Sequence, residues 1–251
     1  MQLVIPLLNA FLSGIVGFYV GRLMAMTVHY LPLILLEGCD QGREPRDIFT
    51  WFLQRKNITD IKLAPFQWGI ALLFGLSTLL FGVSIPVLFV LVVSCLLICC
   101  FFTDYEHGIL PDQLTLTLVW IGLIGSLNPV FVYPSEAILG AVGGYGIFWM
   151  FNELFRYFRH QEGMYPGDFK LNAGIGACIG FKFLIPVLII SFVLLIVVTL
   201  GQHLFRKEKG NTSFFSREVP YACFVTVIIF VAIFFKLINP VPMESIANLA
   251  L

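Results

Sequence analysis

Charge is what this sequence has least of. Only 12% of its 251 residues are charged, against about 25% in an ordinary soluble domain, while 59% are hydrophobic. A chain so poor in ionic groups cannot clothe a sizeable soluble domain, and its longest mainly polar stretch runs only from Gly38 to Lys62. Its 15 Lys and Arg balance 15 Asp and Glu, so there is no basic field to hold nucleic acid. Cysteine is present but unpaired in pattern: no CxxC and no Cys/His zinc spacing occurs. Cys95, Cys99, Cys100 and Cys178 fall inside apolar runs, and Cys39 and Cys223 lie near their ends. Buried free thiols are the simpler reading, and no metal is implied. No charged side chain precedes the first apolar run, and no small-x-small cleavage site follows it. That run therefore reads as a retained span rather than a cleaved signal peptide. No internal repeat is found.

What the chain does have is long apolar runs. A membrane-crossing helix needs about 20 mostly apolar residues. On that rule, spans are expected near 3–23, 67–83, 85–103, 114–130, 136–155, 171–183, 184–201 and 220–237. The second and third divide near Gly82–Pro86. The run from Leu171 to Leu200 is too long for one crossing, and Gly180, Lys182 and Pro186 offer a break, with Lys182 placed to snorkel at the turn. The expected fold is all-α, a polytopic membrane protein of about eight transmembrane helices.

Basic residues orient those helices. Arg43, Arg46, Arg55, Lys56 and Lys62 follow the first span. Arg156, Arg159 and Lys170 follow the fifth, and Arg206, Lys207, Lys209 and Arg217 follow the seventh. All twelve share one side if there are eight crossings with the N-terminus outside, and Arg22 sits at the inner end of span one.

Two acids then stand out. Asp104 closes the third span and Asp168 precedes the sixth, each beside a long apolar segment where a carboxylate is costly. Two crossings separate them, so both face the same, cytoplasmic boundary. Water held between two carboxylates is activated by the ionised one while the protonated one polarises a scissile carbonyl. Neighbouring carboxylates cannot both ionise, so the two share a proton, and their apparent pKa values belong to the pair. Gly167, next to Asp168, lets the backbone approach a substrate or take a turn closed to other residues. The small run 173–177 suits close helix packing. Asp112, after Pro111, reads as a cap opening span four, and Glu106, His107 and Glu162 as loop residues. Lys170 reads as a positive-inside anchor that can also tune Asp168. On residues alone, a peptidase dyad competes with a cation- or proton-coupled transporter using Asp104 and Asp168, and with a non-catalytic assembly protein of a pilus or secretion machine.

Three stretches carry a family resemblance. TDYEHGILPDQLTLTLVWIGLIGSLN (103–128) resembles the first aspartate block of the type IV prepilin leader peptidases, membrane aspartic proteases of the GxGD class. EGMYPGDFKLNAGIGACIG (162–180) resembles the second block, and VPYA (219–222) the Pro-aromatic start of the last span. The resemblance implies Asp104 and Asp168 as the catalytic pair, beside which Gly167 and Lys170, on the residue reading above, are expected as substrate-binding or active-site support. Tyr165 stands where the family has the first Gly of GxGD, so the motif reads Tyr-Pro-Gly-Asp. In GRLMAMTVHYLP (21–32), Gly21 and Leu31-Pro32 match the family's N-terminal segment, while the two CxxC pairs of bifunctional members are absent.

The resemblance thus implies a bacterial inner-membrane, multi-pass peptidase with a periplasmic N-terminus, which removes the basic leader of type IV prepilins or pseudopilins on the cytoplasmic side. Residues 67–251 would form the aspartic peptidase domain, and 1–66 a first helix and basic loop corresponding to a degenerate methyltransferase region. The expected partners are those substrates, the lipid bilayer and a pilus or type II secretion machine. Proteolysis would need no cofactor. Methylation of the new pilin N-terminus, if retained, would use S-adenosylmethionine.

Overall fold

The computed structural model describes residues 4–41, 63–127, 132–159, 164–209 and 221–238. Among them are eight helices and no strand: α1 Val4–Gln41, α2 Leu63–Phe81, α3 Ile85–His107, α4 Asp112–Leu127, α5 Pro134–Arg159, α6 Pro166–Ile179, α7 Phe181–Lys209 and α8 Tyr221–Ile238. The all-α polytopic fold expected from the apolar runs is present. Six helices are long and apolar enough to cross a membrane: α1, α2, α3, α5, α7 and α8. The other two, α4 and α6, have 16 and 14 residues. At about 1.5 Å per residue these are about 24 and 21 Å long, short of a hydrocarbon core of about 30 Å. The chain divides into two compact units, Met1–Pro111 and Asp112–Leu251.

In the first unit α1 lies along α2. A Cβ on Gly17 would come 2.8 Å from the Ile70 carbonyl oxygen, and one on Gly21 would come 2.7 Å from that of Phe66, so only glycine permits this approach. Ser13 and Thr78 join their hydroxyls at 2.5 Å across the same seam. The expected end of the first span is corrected: α1 continues from Arg22 to Gln41, through Pro32. The apolar pattern does not stop at Arg22, and Met24, Ala25, Met26, Val28 and Tyr30 are all buried. The expected division between the second and third spans is found, with Gly82 at φ +72° and Pro86 in the first turn of α3.

In the second unit α6 is the innermost helix. Every residue from Leu171 to Ile179 is buried, and α6 packs chiefly against α5 and α4. The expected small-residue packing is observed. A Cβ on Gly176 would fall on the Gly140 carbonyl, one on Gly144 on the Asn172 carbonyl, and one on Gly122 on Ala177. The expected break in the long apolar run occurs at Gly180, where φ is +81°. Pro186 plays no part in it and lies inside α7. Gly180 alone interrupts the helix, and the first turns of α7 absorb the proline. Lys182 is exposed beside the break, 3.3 Å from Glu136.

Candidate active site

Proline at the first position of α6 needs no N–H, because the first four donors of a helix have no partner within it. Tyr165, extended at φ −85° and ψ 149°, is the cap, so the unusual Tyr-Pro pair of the motif is a helix start. This corrects the expected boundary: Asp168 is the third residue of α6 rather than a residue ahead of it. Gly167 is correspondingly in helical backbone, so its freedom is not spent on a left-handed turn.

Asp168 is 9% exposed and held on three sides. Its Oδ2 accepts the Tyr165 backbone N–H at 3.3 Å, and its own N–H donates to the Tyr165 carbonyl at 3.0 Å. Asn172, one turn on and fully buried, donates from Nδ2 to the Asp168 carbonyl at 2.7 Å. The Tyr221 hydroxyl, at the start of α8, donates to Asn172 Oδ1 at 3.1 Å. The Tyr221 ring is fixed by Phe148 and Phe192, at 5.5 and 5.6 Å between centroids. The segment entering α6 is tied to α5 by the Met164 N–H, 3.0 Å from Asn152 Oδ1. A carboxylate in the first turn also meets the positive end of the helix dipole.

Lys170 has an ion-pair partner on another helix. Its ammonium lies 2.6 Å from both oxygens of Asp112, joining the fifth residue of α6 to the first residue of α4. Asp112, expected as a cap opening span four, is the first residue of α4 and an ion-pair partner.

Asp104 belongs to the first unit and Asp168 to the second. Asp104 is half-buried in the last turn of α3, which runs four residues past the expected end at 103. Its carbonyl accepts the Gly108 N–H at 2.8 Å, and Gly108, at φ +65°, stops the helix. Glu106 and His107, expected as loop residues, are the last two residues of that helix. Thr103 is buried, donating to the Cys99 carbonyl at 2.9 Å, and Phe102 packs on Phe66 with centroids 4.6 Å apart. Glu162, Cys39 and the basic loop of residues 42–62 lie outside what is described, Cys39 by its side chain alone. Among the described residues no group of three His, Cys, Asp or Glu side chains could hold a metal ion.

Sequence reasoning missed Asn152, Asn172 and Lys236. Lys236 is 8% exposed in the last turn of α8, with its ammonium 3.2 Å from the Ile179 carbonyl and 4.4 Å from the Phe183 ring centroid. Only the aromatic of VPYA signalled Tyr221.

A model of the type IV leader peptidase family matches residues 91–200, a stretch holding both Asp104 and Asp168. The chain is 37% identical over 138 residues to a prepilin leader peptidase/N-methyltransferase of Xanthomonas campestris, covering 55% of this chain and 46% of the relative. A protein of the same name from Neisseria gonorrhoeae is 39% identical over 139 residues, covering 55% and 48%. The likeness to the one from Klebsiella pneumoniae is longer, 31% over 204 residues, covering 72% of this chain and 88% of the relative. The chain thus spans about half the length of the first two relatives and most of the third. No solved structure matches it.

Proposed function

Because the chain belongs to the type IV leader peptidase family, we propose that it is a membrane-bound prepilin peptidase using Asp104 and Asp168 as an aspartic catalytic pair. One observation carries this reading. The family match runs through the end of α3 and the start of α6, the two helix ends that bear these carboxylates. One aspartate, ionised, takes a proton from water. The other, protonated, hydrogen-bonds the scissile carbonyl as its oxygen gains charge. The amine leaves with a proton from the pair, which is then ready for a second water. Gly167 admits close approach of an extended substrate to Asp168, and Lys170 supports the site by joining α6 to α4.

The substrates in this proposal are type IV prepilins or pseudopilins serving a pilus or type II secretion machine. Their basic leader would stay on the cytoplasmic side, the side the positive-inside bias of the basic loops favours for the active end, with the N-terminus periplasmic. Residues 67–251 carry the peptidase.

The relatives' name also includes N-methylation, for which S-adenosylmethionine would supply the methyl group. Methylation of the new pilin N-terminus with that donor is a second activity within this proposal.

Co-expression with a prepilin tests the reading. Wild type is expected to remove the leader, and Asp104→Asn and Asp168→Asn each to leave it uncut. Full processing by both single variants would end the proposal, and loss of a cation flux in its place would favour a transporter.

A further inference from the structure

Within α6 the buried part carries two polar side chains, Asp168 and Asn172, one turn apart on the same face. Asn172 has no exposure at all, and its neighbours along the helix are Leu171, Ala173, Gly174 and Ile175. A leucine there would pack without any need for partners. An amide in such surroundings must find hydrogen bonds for both ends, or its burial is costly.

Both ends are in fact used, and both are directed to the same purpose. Nδ2 donates to the Asp168 carbonyl at 2.7 Å, while Oδ1 accepts the Tyr221 hydroxyl at 3.1 Å. The Asp168 carbonyl also faces the helical N–H of residue 172, so the side-chain bond stiffens the turn on which the carboxylate rides. Tyr221 in turn cannot swing away. Phe148, itself only 1% exposed, and Phe192 hold its ring, and they also stack on each other at 5.7 Å.

We propose that Tyr221 and Asn172 are positioning residues for Asp168: α8, through the Tyr221 hydroxyl and the Asn172 amide, fixes the first turn of α6 and with it the direction of the carboxylate. The assignment rests on the reading of Asp168 as a catalytic residue. Tyr221 acts through Asn172 and touches no reacting atom. Its hydroxyl matters for geometry, while its ring matters for packing, and the two roles separate in a Tyr221→Phe variant that keeps the ring.

The test uses the full chain, purified in detergent micelles, with a prepilin as substrate and Asp168→Asn measured in parallel. Tyr221→Phe is expected to lower kcat by about tenfold to a hundredfold, the scale of a slightly misplaced catalytic group, with KM unchanged. Its kcat–pH profile is expected to move relative to wild type, while its melting temperature falls only as far as one unpaired Asn172 Oδ1 requires and stays well above the assay temperature. Asn172→Leu should lower kcat at least as far, and adding Tyr221→Phe to it should cost nothing more, because the hydroxyl then has no amide to hold. The proposal is overturned if Tyr221→Phe keeps the wild-type kcat and pH profile while Asp168→Asn is inactive. It is also overturned if the two substitutions add in full, or if kcat falls only in step with the melting temperature. Should Asp168→Asn remain active, the catalytic reading of Asp168 fails first and this inference with it.

Discussion

The Lys170 ammonium lies 2.6 Å from both carboxylate oxygens of Asp112, although 58 residues separate the two in sequence. The pair fastens the exposed rim of α6 to α4, on the turn that carries Asp168. Its two side chains are 26% and 54% exposed, so water competes for both charges. Pairs of that kind stabilise a protein by only about 0.2–1 kcal/mol.

Asp112→Asn is therefore expected to leave the melting temperature in detergent nearly unchanged and to cut prepilin processing by no more than severalfold. Asp168→Asn should abolish it. Comparing the two in one cleavage assay separates a carboxylate that fastens a helix from one that handles protons. An Asp112→Asn enzyme as inactive as Asp168→Asn would place Asp112 in the chemistry and redraw the catalytic pair.

These particular residues also show what the sequence makes legible. Apolar length and glycine marked the spans, and Gly82 and Gly180 turn the chain where expected. Proline misled at residue 186 because a helix can absorb one ring in its early turns. Asp104 and Asp168 were legible because a carboxylate beside apolar runs is rare. Their exact seats were not, since helices extend past their apolar core when a cap is available: Tyr165-Pro166 for α6, Gly108 for α3. The bonds Asn172–Tyr221 and Asn152–Met164 depend on which helices become neighbours. No periodicity along one helix encodes that choice.

The contact of α5 with α6 gives a prediction about packing. A Cβ on Gly176 would strike the Gly140 carbonyl, which is backbone and cannot rotate away, so the helices would have to part. Gly176→Ala should cost about 3 kcal/mol, the upper end of ordinary overpacking, and lower the melting temperature sharply. Gly146→Ala on the same α5 is the control, because nothing lies within 4 Å of its added methyl. It should match or slightly exceed wild type, alanine being the better helix former by about 0.5–1 kcal/mol. Equal losses in the two variants would mean that α5 and α6 do not meet at Gly140 and Gly176.

Lys236 makes the opposite end of α6 testable. Its ammonium donates to the carbonyl of Ile179, the last residue of that helix, from a position only 8% exposed. Lys236→Met deprives the carbonyl of this donor, a loss of about 1–3 kcal/mol, but also relieves the desolvation of a buried cation. The net expectation is a loss at the low end, about 1 kcal/mol. Lys236→Arg keeps a donor and should lose less. Thermal unfolding of both variants in the same detergent decides it, and a methionine variant more stable than the arginine one would sink the capping role.

The pH dependence of cleavage examines the pair itself. A peptidase in which two aspartates share one proton is active only while one is ionised and the other protonated. As pH falls, the ionised member takes up a proton and the water loses its base. As pH rises, the shared proton is lost and the carbonyl loses its donor. The profile of kcat/KM should therefore be a bell with both limbs set by carboxylates. Initial rates of leader removal across acidic to alkaline buffers measure it, with melting temperatures at each pH separating chemistry from unfolding. A rate that rises through a single acidic limb and then stays level would be the signature of one working carboxylate, and would remove either Asp104 or Asp168 from the proton transfer.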